Sequence, residues 1–326
     1  MRFIIIGAGA VGGTIGGRLF DSGHDVVLVA RGAHLEALRT SGLRLELADR
    51  TAQLAVPAVA GPGELRPGPD DVLVLATKTQ DTPAALAAWE GFGDRPALVC
   101  AQNGVENERL ALRRFSDVYG MCVWLPSSFL EPGVVRARNA PLTGILTVGR
   151  YPSGTDGRVR RIAGCLEASG FEAPVTDEVM AWKYAKLLTN LGNAVDAVSG
   201  PDGDPELGAL AALALAEGRS VLAAAGVTYV GDEEQRRVRG TKVQPRTAPD
   251  GTSGGRSSSW QSLARATGSV EADYLNGEIV LLGRRFGVAT PVNEALQRAA
   301  NRLARERRPA GALTPRERAD LLAAAR

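Results

Sequence analysis

The sequence predicts a two-domain α/β protein, in which an N-terminal domain built on a parallel sheet is followed by an all-α domain. Short apolar runs alternate with helix-forming segments in the first half of the chain, a pattern typical of doubly wound sheets. The first of these runs leads directly into a glycine-rich motif. From about Asp177 onward the segments are helical in character, so the predicted domains are 1–177 and 178–326.

The glycine-rich motif is Gly7-Ala8-Gly9-Ala10-Val11-Gly12, between an apolar predicted strand at 3–6 and a predicted helix that includes 14–20. A strand, a glycine turn and a helix in this order form the phosphate-binding part of a Rossmann-type dinucleotide site. There Gly7 permits the tight turn, Gly9 lets a pyrophosphate approach the backbone, and Gly12 lets the helix pack on the strand. The helix N-terminus adds N–H groups and a positive dipole end. The alternative is a glycine-rich turn that binds no nucleotide.

A second predicted strand, at 25–30, ends next to Arg31. In NAD-binding proteins of this fold, an acidic residue at this strand end accepts hydrogen bonds from the adenosine ribose hydroxyls. A guanidinium can instead bind a ribose 2′-phosphate through paired hydrogen bonds and stack on adenine. The sequence therefore favours NADP(H) over NAD(H), and the alternative is a solvated surface arginine.

Two further buried strands, predicted at 71–76 and 97–101, each lead into polar residues. The first is followed by Thr77-Lys78-Thr79 and the second by Gln102-Asn103-Gly104. Ligands bind at the carboxyl edge of such sheets. Lys78 is therefore expected to face the cofactor or substrate, and Asn103 to hydrogen-bond a nicotinamide ribose or a substrate carbonyl. The alternatives are a solvated lysine that starts the next helix and a simple Asn-Gly turn.

The rest of the first domain is predicted to add several strands and one helix. Residues 43–47 and much of 53–59 alternate between apolar and polar side chains, which indicates half-buried strands. The segments between 118 and 148 are broken by prolines and are predicted to be edge strands that close the domain. A helix at 157–169 and a strand at 171–175 are predicted to follow.

One predicted helix of the second domain, at 179–198, carries polar residues among apolar ones. Lys186, Asn190 and Asn193 project from one face within about 60° of each other. They interrupt an apolar row, and buried polar groups are costly unless they have partners. This arrangement predicts a site, and an exposed polar stripe is the alternative.

The remaining second-domain segments include two predicted helices, at 205–226 and 292–308, and a loop at 242–256 rich in Gly, Pro, Ser and Thr. Ser269 is predicted to cap a further helix, which places Glu271 in its first turn. Acidic residues favour that turn through the helix dipole alone, so Glu271 has a structural explanation beside a functional one.

Composition limits the other function classes. The 326 residues carry a formal net charge of +2, and every long apolar stretch is interrupted by charges or glycines, so no nucleic acid and no membrane partner are expected. The three cysteines are far apart and there are two histidines, which predicts no metal site and a reduced, cytoplasmic protein.

With these motifs in view, the chain resembles the ketopantoate reductase (2-dehydropantoate 2-reductase) family. The resemblance covers nearly the whole chain. Its marks are the glycine turn, Arg31, Lys78, Asn103-Gly104, Lys186-Leu-Leu-Thr-Asn190, the serines before Gln261, and Glu271-Ala-Asp-Tyr-Leu-Asn-Gly277. It implies NADPH-dependent reduction of a 2-oxo acid, 2-dehydropantoate, in pantothenate biosynthesis. It also implies that Lys186 is the catalytic acid and that Glu271 meets the cofactor or substrate, or partners Lys186.

For the substrate, the resemblance implies contacts with Asn103, Lys186, Asn190 and Ser258, with Ser257 and Ser259 as alternatives to Ser258. Helical geometry adds Asn193, which lies close to the Lys186 face. Two other functions stay open. The same fold could act on a different oxo or imino substrate, as an opine-type or pathway-specific reductase, or the chain could be a non-catalytic NADP(H) sensor. A sensor would need no lysine on the predicted helix, so Lys186 argues against it. The apolar helices of the second domain favour a homodimer.

Overall fold

The computed structural model describes residues 1–91, 96–200, 203–246 and 256–324. The chain forms two compact units, Met1–Lys183 with Gly231–Gly255, and Tyr184–Val230 with Arg256–Arg326. The division predicted from the sequence differs, because it assigns 178–183 and the longer segment 231–255 to the second domain. A strand in this segment pairs with a strand of the first unit, which explains why it belongs there.

The strands within the described residues are β1 (Arg2–Ile6), β2 (Asp25–Val29), β3 (Leu43–Leu47), β4 (Thr51–Leu54), β5 (Ala58–Val59), β6 (Val72–Leu75), β7 (Ala97–Cys100), β8 (Val118–Trp124), β9 (Ser128–Glu131), β10 (Val134–Ala137), β11 (Asn139–Pro141), β12 (Gly144–Arg150), β13 (Phe171–Glu172) and β14 (Val243–Pro245). The α-helices are α1 (Ala10–Asp21), α2 (Gly32–Ser41), α3 (Thr82–Trp89), α4 (Asn107–Leu112), α5 (Gly157–Ala168), α6 (Val179–Asn190), α7 (Gly192–Ser199), α8 (Pro205–Ala224), α9 (Asp232–Arg239), α10 (Ser258–Ala264), α11 (Asn276–Phe286), α12 (Pro291–Arg305) and α13 (Pro315–Ala323).

The first unit is organised around an eight-stranded sheet with the order β13-β12-β8-β7-β6-β1-β2-β5. The six neighbouring strands β8-β7-β6-β1-β2-β5 pair in parallel, whereas β12 is antiparallel to β8. The chain proceeds from β1 to β2 on one side and later returns to β6 on the other side. The carboxyl ends of β1 and β6 therefore form the switch point at which doubly wound sheets bind ligands. This confirms the α/β fold class.

The apolar sequence of β1 follows from burial on both faces of this sheet. Phe3 and Ile5 belong to one hydrophobic cluster, and Ile4 and Ile6 to another. Because successive side chains of a strand point to opposite faces, a strand that is covered on both sides needs a continuous apolar run.

A four-stranded sheet in the same unit has the order β4-β3-β10-β9. The prediction that the strands between 118 and 148 are edge strands is wrong for β8, which lies between β7 and β12 and is buried at all but its last residue. The prolines instead mark strand ends. Pro141 closes β11, which pairs only with β14 in a two-stranded sheet, where a missing N–H is tolerated.

Two predictions for the second half of the chain also need correction. The loop predicted at 242–256 contains β14, and its residues 247–255 lie outside the described residues. No helix has Ser269 as its N-cap. Glu271 instead precedes a short 3-10 helix, Ala272–Tyr274, and α11 begins only at Asn276. Glu271 is therefore outside the first turn of an α-helix, and the dipole explanation does not apply to it.

The described part of the second unit is helical, as the sequence predicts. However, the helix predicted at 179–198 is divided into α6 and α7 at Leu191, whose backbone angles stay helical (φ −58°, ψ −28°). The backbone N–H of Leu191 still donates to the carbonyl of Leu187, while its own carbonyl accepts from the side chain of Asn276. A residue far along the chain thus stabilises the break, and sequence periodicity does not reveal it.

Helix α8 is the one helix among the described residues that is long and apolar enough to cross a membrane. This is a criterion of length and composition, which core helices of soluble proteins also meet. One face of α8 packs inside the second unit, through the buried residues Leu207, Leu210, Ala214, Gly218, Val221 and Leu222.

Candidate functional site

The glycine turn joins β1 to α1 at the carboxyl edge of the large sheet. Gly7 has a φ of +100°, in the left-handed region that favours glycine. A Cβ on Gly12 would lie 2.1 Å from the carbonyl oxygen of Gly7 and 2.9 Å from Cγ2 of Ile5. Gly12 therefore allows α1 to pack closely on β1, and no larger residue fits there without a shift.

Gly9 differs from these two glycines, because nothing lies within 4 Å of the position that its Cβ would occupy. Gly9 is the N-cap of α1, and no side chain caps that helix. The N–H groups of a first helical turn have no partner within the helix, so here they can receive an anion. Ala8 is buried, while Ala10 and Val11 begin α1. The residues of the turn fit a dinucleotide pyrophosphate.

His34 supports the glycine turn from α2. Its Nε2 lies 2.8 Å from the carbonyl oxygen of Ala8, and its Nδ1 accepts a hydrogen bond of 2.9 Å from the backbone N–H of Gly133. Because Nδ1 is an acceptor, the neutral ring carries its proton on Nε2 and donates it to Ala8. No sequence motif predicts this contact, because Gly133 lies 99 residues further along the chain.

Arg31, Lys78 and Asn103 follow β2, β6 and β7, so all three lie at the edge of the sheet that carries the glycine turn. Arg31 is exposed, and its guanidinium makes no hydrogen bond or ion pair within the part of the chain that the structure describes. Lys78 is half-buried and precedes a 3-10 helix, Thr79–Asp81. Asn103 is half-buried, and Gly104 after it has a φ of +77°.

A buried polar network adjoins Asn103, and its members were not among the predicted site residues. Gln102 donates from Nε2 to the carbonyl of Thr77 over 2.8 Å and to the hydroxyl of Thr82 over 2.9 Å. That hydroxyl donates to Oδ1 of Asn107, whose Nδ2 donates to the carbonyl oxygen of Asn103 over 3.0 Å. The network connects the ends of β6 and β7 to α3 and α4.

Lys183 and Glu108 extend this network to the start of α6. They form an ion pair in which the Lys183 side chain is 2% exposed and that of Glu108 is fully buried. Lys183 also donates from Nζ to the carbonyl oxygen of Gln102 over 3.1 Å. Burial raises the pKa of Glu108, although the Lys183 ammonium acts in the opposite direction. The apolar residues around Lys183 in the sequence were the available signal for a buried lysine here.

In the second unit, Lys186 and Asn190 are one helical turn apart on α6. Lys186 is half-buried. Asn190 is buried, and its Nδ2 has no hydrogen-bond partner among the described residues. An amide nitrogen in this condition is costly for the protein alone, so it is a candidate ligand contact.

Asn193 and Ser258 are brought together, although they are 65 residues apart in the sequence. Asn193 Nδ2 donates to the hydroxyl of Ser258 over 3.4 Å. Ser257 has a different task, because its hydroxyl caps α10 by accepting from the N–H of Trp260 over 3.2 Å. Ser259 is buried. Ser258 is therefore the serine of the three that is left for a ligand.

Glu271 is 8% exposed and lies at the start of the Ala272–Tyr274 turn. Its backbone carbonyl accepts from the N–H groups of Tyr274 and Leu275. The described residues contain no group of three or more His, Cys, Asp or Glu side chains that could hold a metal ion.

Comparison with known proteins gives two family matches. The model described as ketopantoate reductase PanE/ApbA matches residues 3–153, and the model for the C-terminal part of the same family matches residues 178–304. A 2-dehydropantoate 2-reductase of Pyrococcus horikoshii is 27% identical over 299 residues, covering 90% of this chain and 94% of that protein. A 2-dehydropantoate 2-reductase of Mesorhizobium japonicum is 30% identical over 338 residues, covering 94% and 99%.

Solved structures give the same picture of the fold. A PanE/ApbA family ketopantoate reductase from Ralstonia eutropha has a TM-score of 0.77 and 29% identity, covering 94% of this chain and 99% of that one. A D-mandelate dehydrogenase with NADH and anilino(oxo)acetate has a TM-score of 0.78 and 21% identity, covering 94% and 99%. The second likeness concerns the fold alone.

Proposed function

Because the chain belongs to the ketopantoate reductase family, we propose that this oxidoreductase reduces the 2-oxo acid 2-dehydropantoate to pantoate with NADPH, in pantothenate biosynthesis. The observation that carries the proposal is on α6. Half-buried Lys186 lies one turn before Asn190, whose buried amide nitrogen has no hydrogen-bond partner among the described residues. A proton donor beside an unsatisfied amide suits a substrate with a reducible carbonyl and further polar groups.

The cofactor of this proposal is NADPH, and its nicotinamide, when bound, supplies the hydride. The glycine turn at 7–12 holds the pyrophosphate, in the space left open at Gly9. Arg31 binds the 2′-phosphate, and Lys78 and Asn103 contact the nicotinamide side of the cofactor. The exposed guanidinium of Arg31 supports NADPH over NADH. Proteins that prefer NADH have an acidic residue at this position, which accepts hydrogen bonds from the adenosine ribose hydroxyls.

The second unit supplies the proton in this proposal. As negative charge develops on the carbonyl oxygen, Lys186 stabilises it and donates a proton from Nζ, which completes the alcohol. Asn103, Asn190 and Asn193 orient the substrate, and Ser258 binds its carboxylate. Glu271 either binds the substrate hydroxyl or keeps Lys186 protonated.

A second candidate keeps the reaction type and changes the substrate to another oxo or imino acid. The observation in its favour is the position of the second asparagine. In the family pattern this residue comes four positions after the first, where this chain has the buried Ala194. Asn193 stands one residue earlier and lies beyond the break at Leu191.

A panel of 2-oxo and imino acids separates the candidates when NADPH oxidation is followed by absorbance. Turnover of 2-dehydropantoate with a kcat/KM above that of every other panel member supports the first candidate. Turnover of other substrates alone supports the second. If no member is reduced while NADPH binds, a non-catalytic NADP(H) sensor becomes the better explanation.

The proposal places the enzyme in the cytoplasm as a homodimer. All three cysteines are free, which suits a reducing compartment. The outer face of α8 leaves Leu213 41% exposed, and a second copy could cover this apolar face. Light scattering on the purified protein, with Leu213→Glu as the disrupting variant, tests the dimer.

A further inference from the structure

The buried pair of Lys183 and Glu108 has no role in the mechanism described above. Both side chains are almost completely removed from solvent, and the pair lies entirely within the first unit. Taking a lysine and a carboxylate out of water is expensive, and apolar residues of similar size often stabilise a protein as well or better. Oε2 of Glu108 also lacks a hydrogen-bond partner among the described residues. Stability alone therefore gives a poor account of this pair.

The second contact of Lys183 points to a different purpose. Its Nζ donates to the carbonyl oxygen of Gln102 over 3.1 Å, and this carbonyl belongs to the peptide group that joins Gln102 to Asn103. A trans peptide is planar, so its N–H points away from its C=O. By holding the Gln102 carbonyl inward, Lys183 directs the N–H of Asn103 away from itself.

The next peptide group along the chain is held as well. The fully buried Asn107 donates from Nδ2 to the carbonyl oxygen of Asn103 over 3.0 Å. Asn103 therefore has a buried side chain bound to the peptide on each side of it, while its own side chain stays half-buried. This is the geometry of a residue whose backbone is fixed so that its side chain is presented in one direction.

We propose that Lys183, held in place by Glu108, is a positioning residue for Asn103. The inference rests on the proposed function, in which Asn103 contacts the nicotinamide side of the cofactor and the substrate. Lys183 is not assigned as a second proton donor, because its ammonium is buried and donates to Glu108 and to the Gln102 carbonyl. A misplacement of about 1 Å in a positioned group can cost about a hundredfold in rate, which explains why an expensive buried charge is kept here.

The test uses a double substitution, Lys183→Met with Glu108→Leu, which removes both buried charges together. It is made in the full-length protein, alone and combined with Asn103→Ala. If Lys183 acts through Asn103, the double substitution lowers kcat/KM by at least about tenfold when Asn103 is present. In the Asn103→Ala background it has little further effect, because the two changes are coupled. A purely structural pair predicts additive effects instead, and that result overturns the proposal.

Two further variants make this result specific. Lys183→Arg with Glu108→Asp keeps the charges and the overall length of the pair, and is expected to restore most of the activity. The matched control is Lys242→Met with Glu172→Leu, a half-exposed pair in the same unit that does not contact Gln102, and it is expected to leave kcat/KM unchanged. Should the variant with Lys183→Met and Glu108→Leu not fold, Lys183→Gln with Glu108→Gln replaces it. The glutamine side chain is one bond shorter than lysine and does not reach the Gln102 carbonyl.

Hydrogen exchange measured by mass spectrometry gives a readout that does not depend on the reaction. In the variant with Lys183→Met and Glu108→Leu, the backbone amides around Asn103 are expected to exchange at least about tenfold faster, while those of β1 stay protected. Unchanged exchange around Asn103 overturns the proposal. A wild type that reduces no 2-oxo acid contradicts the proposed function alone, since the exchange measurement still decides whether Lys183 holds this segment.

Discussion

The side chain of Asn276 donates a hydrogen bond of 3.2 Å to the backbone carbonyl of Leu191, at the residue that separates α6 from α7. The same amide nitrogen also donates to Oδ1 of Asn293 over 3.0 Å, and Asn293 in turn donates to the carbonyl of Ala214 and to Glu217. These hydrogen bonds link Leu191, at the break, to α8 and α12. Since Lys186 lies before the break and Asn193 after it, Asn276 fixes the geometry between two proposed site residues.

Replacing Asn276 by alanine is expected to lower the free energy of unfolding by about 1–3 kcal/mol, because the buried carbonyl of Leu191 loses its partner. Denaturant unfolding followed by circular dichroism measures this. Asn301→Ala is the matched control, since the Asn301 side chain bonds Asp273 at the surface, and its effect should be much smaller. Equal effects of the two substitutions would remove Asn276 as the support of the break.

Substitutions at Gly9 and Gly12 are expected to affect different properties, NADPH binding at Gly9 and stability at Gly12. Gly9→Val should fold, because the space at its Cβ is open, but it should lose measurable NADPH binding, because the side chain fills the space of the pyrophosphate. Gly12→Ala should lower stability by about 1–3 kcal/mol through the clash with the Gly7 carbonyl. Calorimetric titration with NADPH and thermal melting measure both.

A matched control for these substitutions is Gly164→Ala, on α5, where an added Cβ also meets nothing within 4 Å. It should be neutral or slightly stabilising, since alanine favours a helix over glycine. Normal NADPH affinity in a folded Gly9→Val protein would show that the turn does not bind the cofactor.

Arg31→Ala is expected to raise the KM for NADPH by at least about tenfold and to leave the KM for NADH almost unchanged. A charge-assisted contact to the 2′-phosphate, which only NADPH carries, contributes about 1.5–3 kcal/mol. Steady-state kinetics with both cofactors measures the difference, and Arg160→Ala, an exposed arginine on α5, serves as control. Equal changes for NADPH and NADH would place Arg31 outside the 2′-phosphate site.

Ser258 and Ser257 are adjacent, and the structure predicts different losses for them. Ser258→Ala should raise the KM for the 2-oxo acid by about tenfold, because a hydrogen bond to the carboxylate is lost, while the Tm stays near that of the wild type. Ser257→Ala should lower stability by about 1 kcal/mol, because α10 loses its N-cap. A rise in KM for Ser257→Ala alone would exchange the two roles.

Much of the first unit could be predicted because its signals are local. The apolar run at 3–6 and the φ of Gly7 depend on nearby residues. The close approach of the Gly7 carbonyl, which excludes a side chain at Gly12, is local as well. The sequence prediction was less successful where a distant residue decides the outcome. At the break the carbonyl of Leu191 accepts a hydrogen bond from Asn276, which lies 85 residues away. Lys183 pairs with Glu108, at a separation of 75 residues.

The three serines before Gln261 show the same limit in a candidate site. The family resemblance favours Ser258 but keeps Ser257 and Ser259 as alternatives, since each offers the same hydroxyl. Only the fold distinguishes them, by using Ser257 as a cap and burying Ser259. A residue's chemistry is visible in the sequence, whereas its remaining freedom to bind a ligand depends on its neighbours in space.

Lys186→Ala is expected to lower kcat by at least about a hundredfold with little change in NADPH affinity. General acid catalysis contributes about 10²–10⁴-fold, and the lost stabilisation of the developing alkoxide adds to this. Lys186→Arg should not restore the rate, because a guanidinium stays charged near neutral pH and is a poor proton donor. Turnover, the NADPH dissociation constant and the Tm are measured on the same proteins.

The control for Lys186 is Thr189→Ala, an exposed residue on the same helix, which should retain wild-type turnover. A structural lysine predicts the reverse of the expected pattern for Lys186→Ala, with a lower Tm and near-normal turnover in the protein that remains folded. The contrast with Lys183 sharpens this, because Lys183 is buried in an ion pair and its loss should affect stability as well as rate. Near-wild-type turnover of Lys186→Ala would refute the assignment of the proton donor and favour a protein that binds NADP(H) without reducing a substrate.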